Sequence, residues 1–312
     1  MAGVIGKIWS RPAGAFALVI VGLICAAAIF APLIAPYPPN KIDVLHRFNA
    51  PSLQHWLGTD QLGRDLLSRL LHGASVAMSV ALGAISIALV LGVPLGMLAA
   101  QKAARWERPI LILFDIIASF PSLVLALAFV FIFGPGLFNV TLIVAIAKAP
   151  QYGRVARAQV LGVLNQPFIE AERILGASQA RIALVHILPN ILGPLVILAS
   201  MDIPIVISIE AGLSFIGLGV RPPLASWGTL IYDGFAFLNQ SAVPVTASSL
   251  ALAVATLGFT LFGEALRDAT GRLRRELAAH QEGRREDLPI LVERRPVGCE
   301  RPHLELHFAS GM

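Results

Sequence analysis

Four ionisable residues, Asp115, Lys148, Asp202 and Glu210, lie inside runs otherwise apolar enough to meet lipid. A charge there is costly and is met by a partner or by water. Three of the four are acids, the residue type a proton-coupled carrier would use. Each also falls near the end of its run, where pairing or snorkelling serves structure alone, so both readings stand. Pro121 follows Asp115 closely and is placed to kink that run. A second chemical group is the passage EAERILGASQARIALVHILPN, Glu170–Asn190, whose acids, arginines, central glycine and late proline separate two apolar stretches. A third is GTDQLGRDLLSRLLH, Gly58–His72. Its Asp60–Arg64 and Asp65–Arg69 pairs have helix-supporting i,i+4 spacing, each worth about 0.2–0.5 kcal/mol. The sequence has no GxxxxGK followed by Ser or Thr to cradle ATP phosphates, and no HExxH, GxSxG or paired His and Cys. Cys25 sits in an apolar run and Cys299 in a polar tail, so neither a disulfide framework nor a metal site is indicated.

The elements that must hold these groups are set by composition. Of 312 residues, 56% are hydrophobic and 14% charged, where soluble domains carry about 25% charged residues. With a mean hydropathy of +0.75, the chain reads as an all-α integral membrane protein. A span needs about 20 mostly apolar residues. Six stretches qualify: Ala13–Ala35, Ser75–Ala100, Ile110–Phe133, Val140–Arg157, Ile191–Phe215 and Val243–Leu266. The first exceeds the about 7–15 residues of a signal-peptide core and reads as an uncleaved span. With the N-terminus cytoplasmic, 19 of the 24 Lys and Arg fall on the inner side and five on the outer, which predicts N-in and C-in. The formal charge of +5 is therefore a matter of topology rather than of nucleic acid. The expected organisation is a cytoplasmic start (1–12), a first span (13–35) and an outer segment with a short amphipathic helix (36–74). A five-helix core (75–266) containing a cytoplasmic loop (165–190) and a disordered cytoplasmic tail (267–312) follow.

Within the loop, Asn165 is placed to cap a helix that begins near Pro167. Glu170 and Glu172 fall in its first turns, where the helix dipole favours negative charge. Phe168, Ala171, Ile174 and Leu175 form one apolar stripe. Gly176 is suited to end the helix in a left-handed conformation. Ser178 is suited to cap a second helix, which Pro189 interrupts before the fifth span. The exposed stripe either lies on lipid, packs internally or fits a groove on another protein, and spacing leaves these open.

This passage resembles the EAA loop of ABC importer permeases. Glu170, Ala171, Gly176, Ile187, Leu188 and Pro189 match, and Glu172 replaces the usual third-position Ala. Other stretches look like the C-type permease subunit of dipeptide, oligopeptide and nickel importers: HWLGTDQLGRDLLSRLLHGA, DIIASFPSLVLALA, GPGLFNV, EAGLSFIGLGVRPPLASWG and LFGEALRDA. The resemblance runs from about Ala13 to Arg275. It departs at Asn239–Ala251, where a more aromatic entry to the last span is expected, and in the long tail. It implies a type I importer fold, paired with a second homologous permease, two ATP-binding subunits and an extracytoplasmic solute-binding protein in a bacterial cytoplasmic membrane. ATP and Mg would belong to the partners, with no cofactor on this chain. Phe168, Glu170, Ala171, Ile174, Gly176 and Ala177 would contact an ATPase, supported by Asn165, Ser178 and Pro189, with Gly176 and Pro189 as a hinge pair. Gly58, Thr59, Asp60, Gly63, Arg64 and Asp65 form the outer family motif. Asp115, Pro121, Glu210 and Ser214 would line the pathway or support the spans. The alternatives are a secondary carrier using the buried acids and an export or scaffold subunit.

Overall fold

The computed structural model describes the backbone of residues 2–101 and 105–286, and the side chains of 5–101 and 105–271. Among these residues the chain is helical without strands, apart from one isolated bridge between Thr59 and Asp65. It divides into two units, 1–270 and 271–312.

In the first unit, α1 (Ala2–Trp9) leads into α2 (Pro12–Ile34), and a long loop precedes α3 (Leu66–Ala99). Then come α4 (Glu107–Ala118), α5 (Ser122–Phe133), α6 (Leu137–Leu164), α7 (Pro167–Ile174) and α8 (Gln179–Arg181). A π-helical turn, Ile182–Ile187, joins α8 to α9 (Leu188–Phe215), followed by α10 (Trp227–Phe235) and α11 (Val243–Glu286). By length and composition four described helices can cross a membrane: Pro12–Ile34, Leu66–Ala99, Gln179–Phe215 and Val243–Gly271. Helices α4 and α5 make a fifth if taken as one broken span, but they are bent by 85° rather than continuous. The break contains Pro121, which biases Phe120 away from helical conformation. Helix α6 is about 42 Å long by α-helical rise, yet Lys148, Arg154 and Arg157 keep its composition apart from the other spans.

The core is organised around α3 and α6. A Cβ on Gly96 would collide with the Gly153 carbonyl, and one on Gly92 with that of Ala149. Small residues therefore let these two backbones meet directly, as helices do in lipid. Ser75 Oγ donates to the Ala28 carbonyl at 2.6 Å and fastens α2 to α3. Trp227 Nε1 donates to the Leu70 carbonyl at 3.0 Å and fastens α10. Ser226 and Thr229 close a capping box at the start of α10.

Two expected boundaries are corrected. The short amphipathic helix at Thr59–His72 is not a separate element. Residues 58–65 form a loop, and Leu66 starts a single helix running to Ala99, because the Asp65 carboxylate caps it by accepting from Ser68 N at 2.8 Å. In the second unit, residues 271–286 are helical rather than disordered, in keeping with their Arg, Leu, Glu, Ala and Gln content. The rest of the expected disordered tail, with Cys299, lies outside the described residues.

Candidate functional site

Helix α7 is built to present a surface. Pro167 opens it without wasting an amide hydrogen, and Ile169, fully buried, pins it to the bundle. That single anchor turns the opposite stripe outward: Phe168 is 43% exposed, Ile174 82% and Leu175 81%. Ala171 and Glu170 are exposed beside them. Glu172 is only partly exposed. Its carboxylate lies 3.5 Å from His186 Nε2 of the π turn, tying α7 to the segment that follows.

The chain leaves α7 through Gly176, at φ 79°. Gly176 N donates to the Arg173 carbonyl and Ala177 N to that of Glu172, both at 3.0 Å, closing the helix end as its sequence position predicts. Ser178 Oγ accepts from Arg181 N at 3.3 Å and caps α8. Two other residues act differently from expectation. Asn165 does not cap α7; it ends α6, donating from Nδ2 to the Leu161 carbonyl at 3.1 Å, and the cap position belongs to Gln166. Pro189 does not interrupt the helix. The π turn just before it alters the hydrogen-bond register, so the missing amide is absorbed and α8 runs without a break into α9. A groove of about 470 Å³ opens beside α7, lined by Leu164, Asn165, Gln166, Glu170, Arg173 and Ile174.

The Gly58–Asp65 motif forms a second polar centre. Gly58 and Gly63 turn the chain with positive φ, and Thr59 Oγ1 donates to the His46 carbonyl. Asp60, buried, accepts from Leu62 N and Arg64 N through Oδ1, and from Arg64 Nε and Arg69 Nη1 through Oδ2. Both arginines also face Asp233 of α10, at 3.6 and 3.8 Å. The expected Asp65–Arg69 helical pair is replaced by this arrangement. Asp65 instead accepts from Ser68 Oγ at 2.7 Å and contacts His55 Nδ1 at 2.9 Å. Nearby, a hydrogen bond with His46 holds the exposed Asp43 carboxyl below its usual range.

The charges inside the spans are not grouped. Asp115, on an open face, pairs with Arg154 at 2.9 Å, and Pro121 starts α5 after the bend. Glu210 and Ser214 are brought together and buried, Ser214 Oγ donating to Glu210 Oε1 at 2.6 Å. The same Ser214 Oγ accepts from Val220 N at 3.2 Å, holding the turn after α9. Lys148 and Asp202 pair at 2.7 Å across α6 and α9. Residue types identify these charges individually, but the pairing, like the roles of His55, Ser68 and Asp233, is created by helix packing and has no sequence spacing to reveal it. Among the described residues no group of three or more His, Cys, Asp or Glu could hold a metal.

A surface helix of this kind, joined through a glycine turn to the continuous α8–α9 helix, lies within a family match. Residues 92–275 match the model of the binding-protein-dependent transport system inner membrane component, and residues 7–51 that of the N-terminal TM domain of oligopeptide transport permease C. The chain belongs to this permease family. It is thus an inner-membrane transport subunit, not an enzyme. The permease is 38% identical to the di/tripeptide transport system permease protein of Pseudomonas aeruginosa, covering 81% of this chain and 85% of that one. It is 39% identical to the probable D,D-dipeptide transport system permease protein of Escherichia coli, covering 80% and 84%. A glutathione transport system permease protein of Escherichia coli is also 39% identical, over 81% and 84%. Among solved structures, an inward-facing crystal form of the MetNI methionine ABC transporter aligns with TM-score 0.53 and 20% identity, covering 65% of this permease and 97% of that chain. At that identity the likeness concerns the fold.

Proposed function

We propose that this permease is one of two homologous membrane subunits of an ABC importer for di- or oligopeptides and related small solutes, glutathione and nickel included. Peptide-class substrates are favoured by the names of its relatives. A solute-binding protein delivers substrate at the outer face. Two ATP-binding subunits, carrying ATP and Mg, dock inside, one of them on α7 through Phe168, Glu170, Ala171, Ile174, Gly176 and Ala177. Six crossings with N-in and C-in orientation complete the reading, α6 supplying the charged fourth crossing. The 3.0 Å ion pair between Arg11, before α2, and Asp268, late in α11, supports placing the ends of these spans on one side.

The observation that carries the proposal is the outward apolar stripe on α7. It sits on a short helix held by one buried anchor and connected through α8 and the π turn to α9. Closure of the ATPase pair would displace α7, and the continuous α8–α9 helix would carry that displacement into the membrane, giving alternating access. The carrier reading is weakened because all three span acids have partners: Arg154, Lys148 and Ser214.

The test is purification of the tagged chain from native membranes, comparing wild type with Glu170→Lys/Gly176→Arg. The expected result is an ATPase pair and a second permease with wild type, and loss of the ATPases alone from the variant. A chain that comes down alone in both cases, under conditions that preserve a known complex, overturns the proposal.

A further inference from the structure

Helices α2 and α11 touch and then part. A Cβ on Gly258 of α11 would lie 2.4 Å from Cγ2 of Ile20 in α2, so the two helices meet there without a gap. One turn further along each, towards the end of the bundle that carries the Gly58–Asp65 motif, a groove of about 360 Å³ opens between them. Leu23 and Ala27 of α2 stand on one side, Leu250 and Ala251 of α11 on the other. Ala74, early in α3, and Trp227 of α10 form the floor.

All the residues that border this groove are Leu, Ile, Val, Ala or Trp. The one polar atom of the Trp227 ring, Nε1, donates to the Leu70 carbonyl at 3.0 Å, which leaves the indole no donor for a guest. A buried water needs two to four polar partners, and an apolar cavity of about 150 Å³ already stays dry and takes up benzene. Packed interiors hold few voids wider than a water molecule, so a space of this size is filled from the medium it opens on. The rims identify that medium. Leu23 is 65% and Leu250 64% exposed, on two helices long and apolar enough to cross a membrane, while Ala74 and Trp227 beneath them are each 3% exposed. The groove therefore opens sideways onto hydrocarbon. Its side on α11 runs from Ala247 to Val254, about 10 Å along the helix axis, an elongated shape that suits a chain better than a ring.

We propose that this groove is a binding site for one acyl chain of a membrane phospholipid, in the half of the bilayer that adjoins the Gly58–Asp65 motif. The chain supplies the dispersion contacts that the side chains of α2, α3, α10 and α11 leave unmade. Recognition is by shape and apolar contact, so the site selects a chain and not a headgroup. Leu23 and Ala27 belong to the segment 7–51 and Leu250 and Ala251 to the segment 92–275, the two parts of the family match. The lipid thus sits at the joint between them and fastens α2 to the core. The site rests on the chain being a membrane protein, and neither on peptide import nor on which side of the membrane is cytoplasmic.

Trp227 is the reporter. With Trp9, Trp56 and Trp106 replaced by Phe, the full chain keeps this tryptophan alone. It is reconstituted in nanodiscs of phosphatidylcholine whose acyl chains are either dibrominated near their middle or unmodified. Bromine quenches only at close range, and Trp227 is reached by a chain inside the groove and not by aqueous iodide. Fluorescence is expected to be at least twofold lower in the brominated lipid and unchanged by iodide. Ala27→Phe/Ala251→Phe fills the groove and should restore most of the lost signal while the protein stays monodisperse in size exclusion. Ala251→Leu, a smaller filling, should restore part of it and serves if the double variant does not fold. An unquenched Trp227 in the starting chain, or equal quenching with and without the filling side chains, overturns the proposal. Native mass spectrometry of the wild-type permease purified from native membranes should show one more phospholipid retained per permease chain than Ala251→Leu retains. Equal retention would mean that a protein neighbour, such as a second permease, occupies the groove, and would also overturn the site.

Discussion

At the scale of single residues, Asp60 and Gly176 carry distinct burdens. Asp60 is a buried carboxylate that orders two backbone amides and compensates Arg64 and Arg69. Removing it leaves two cations with only the more distant Asp233. Asp60→Ala is therefore expected to cost about 3–5 kcal/mol, the scale for breaking a buried pair by removing one partner. The check is a lower thermal unfolding temperature in detergent. Gly176 contrasts with it, because a Cβ there meets nothing within 4 Å while φ is 79°. The penalty for a side chain is backbone strain, about 1–2 kcal/mol for an L-residue in this region. Gly176→Val should misdirect the loop and weaken ATPase co-purification, whereas Gly176→Asn, tolerant of left-handed backbone, should retain it. Equal retention by both would remove Gly176 from the coupling machinery.

Elements behave as units, and two of them make opposite predictions. The α3–α6 seam is backbone against backbone, so Gly96→Leu must push the helices apart and should greatly lower the yield of folded protein. Gly162, also on α6, has open space around its Cβ position and should accept Leu with wild-type yield. Comparing the two by fluorescence-detected size exclusion separates close packing from mere helix propensity. Helix α7 is the reverse case, since Ile174 and Leu175 of its stripe are mostly exposed. Ile174→Glu should change stability by no more than about 0.5 kcal/mol, yet remove the ATPases from the purified complex. If Ile174→Glu keeps them, the stripe faces lipid and not a partner.

For the whole molecule, the open question is which faces lie on which side of the membrane. Leu53, in the loop between α2 and α3, is 97% exposed and Leu175, after α7, is 81% exposed. In a chain with Cys25 and Cys299 replaced, Leu53→Cys should react with a membrane-impermeant thiol reagent in intact spheroplasts. Leu175→Cys should react only after permeabilisation. The reversed pattern would invert the N-in assignment. The same experiment bears on the number of crossings, because an even count is required if the Arg11–Asp268 pair joins ends on one side.

By itself the sequence determined the all-helical membrane class, the family and the outward stripe of α7. Each depends on composition or on spacing along the chain, which helix periodicity converts directly into faces. Gly176 and Ser178 were legible for the same reason, since helix ends are satisfied by residues a few positions away. Tertiary structure alone decided the partners of isolated charges. Asp65 turned from Arg69 to Ser68 and His55, and Arg69 to Asp60 and Asp233, because burial made each polar group take the nearest available partner. Lys148 met Asp202 from 54 residues away, at a depth where an unpaired charge is too costly to persist. Pro189 also changed its meaning, since the π turn before it let a helix-breaking residue sit inside a continuous helix. Local rules therefore reach as far as one helical turn, and beyond that the low dielectric of the packed bundle chooses the pairings.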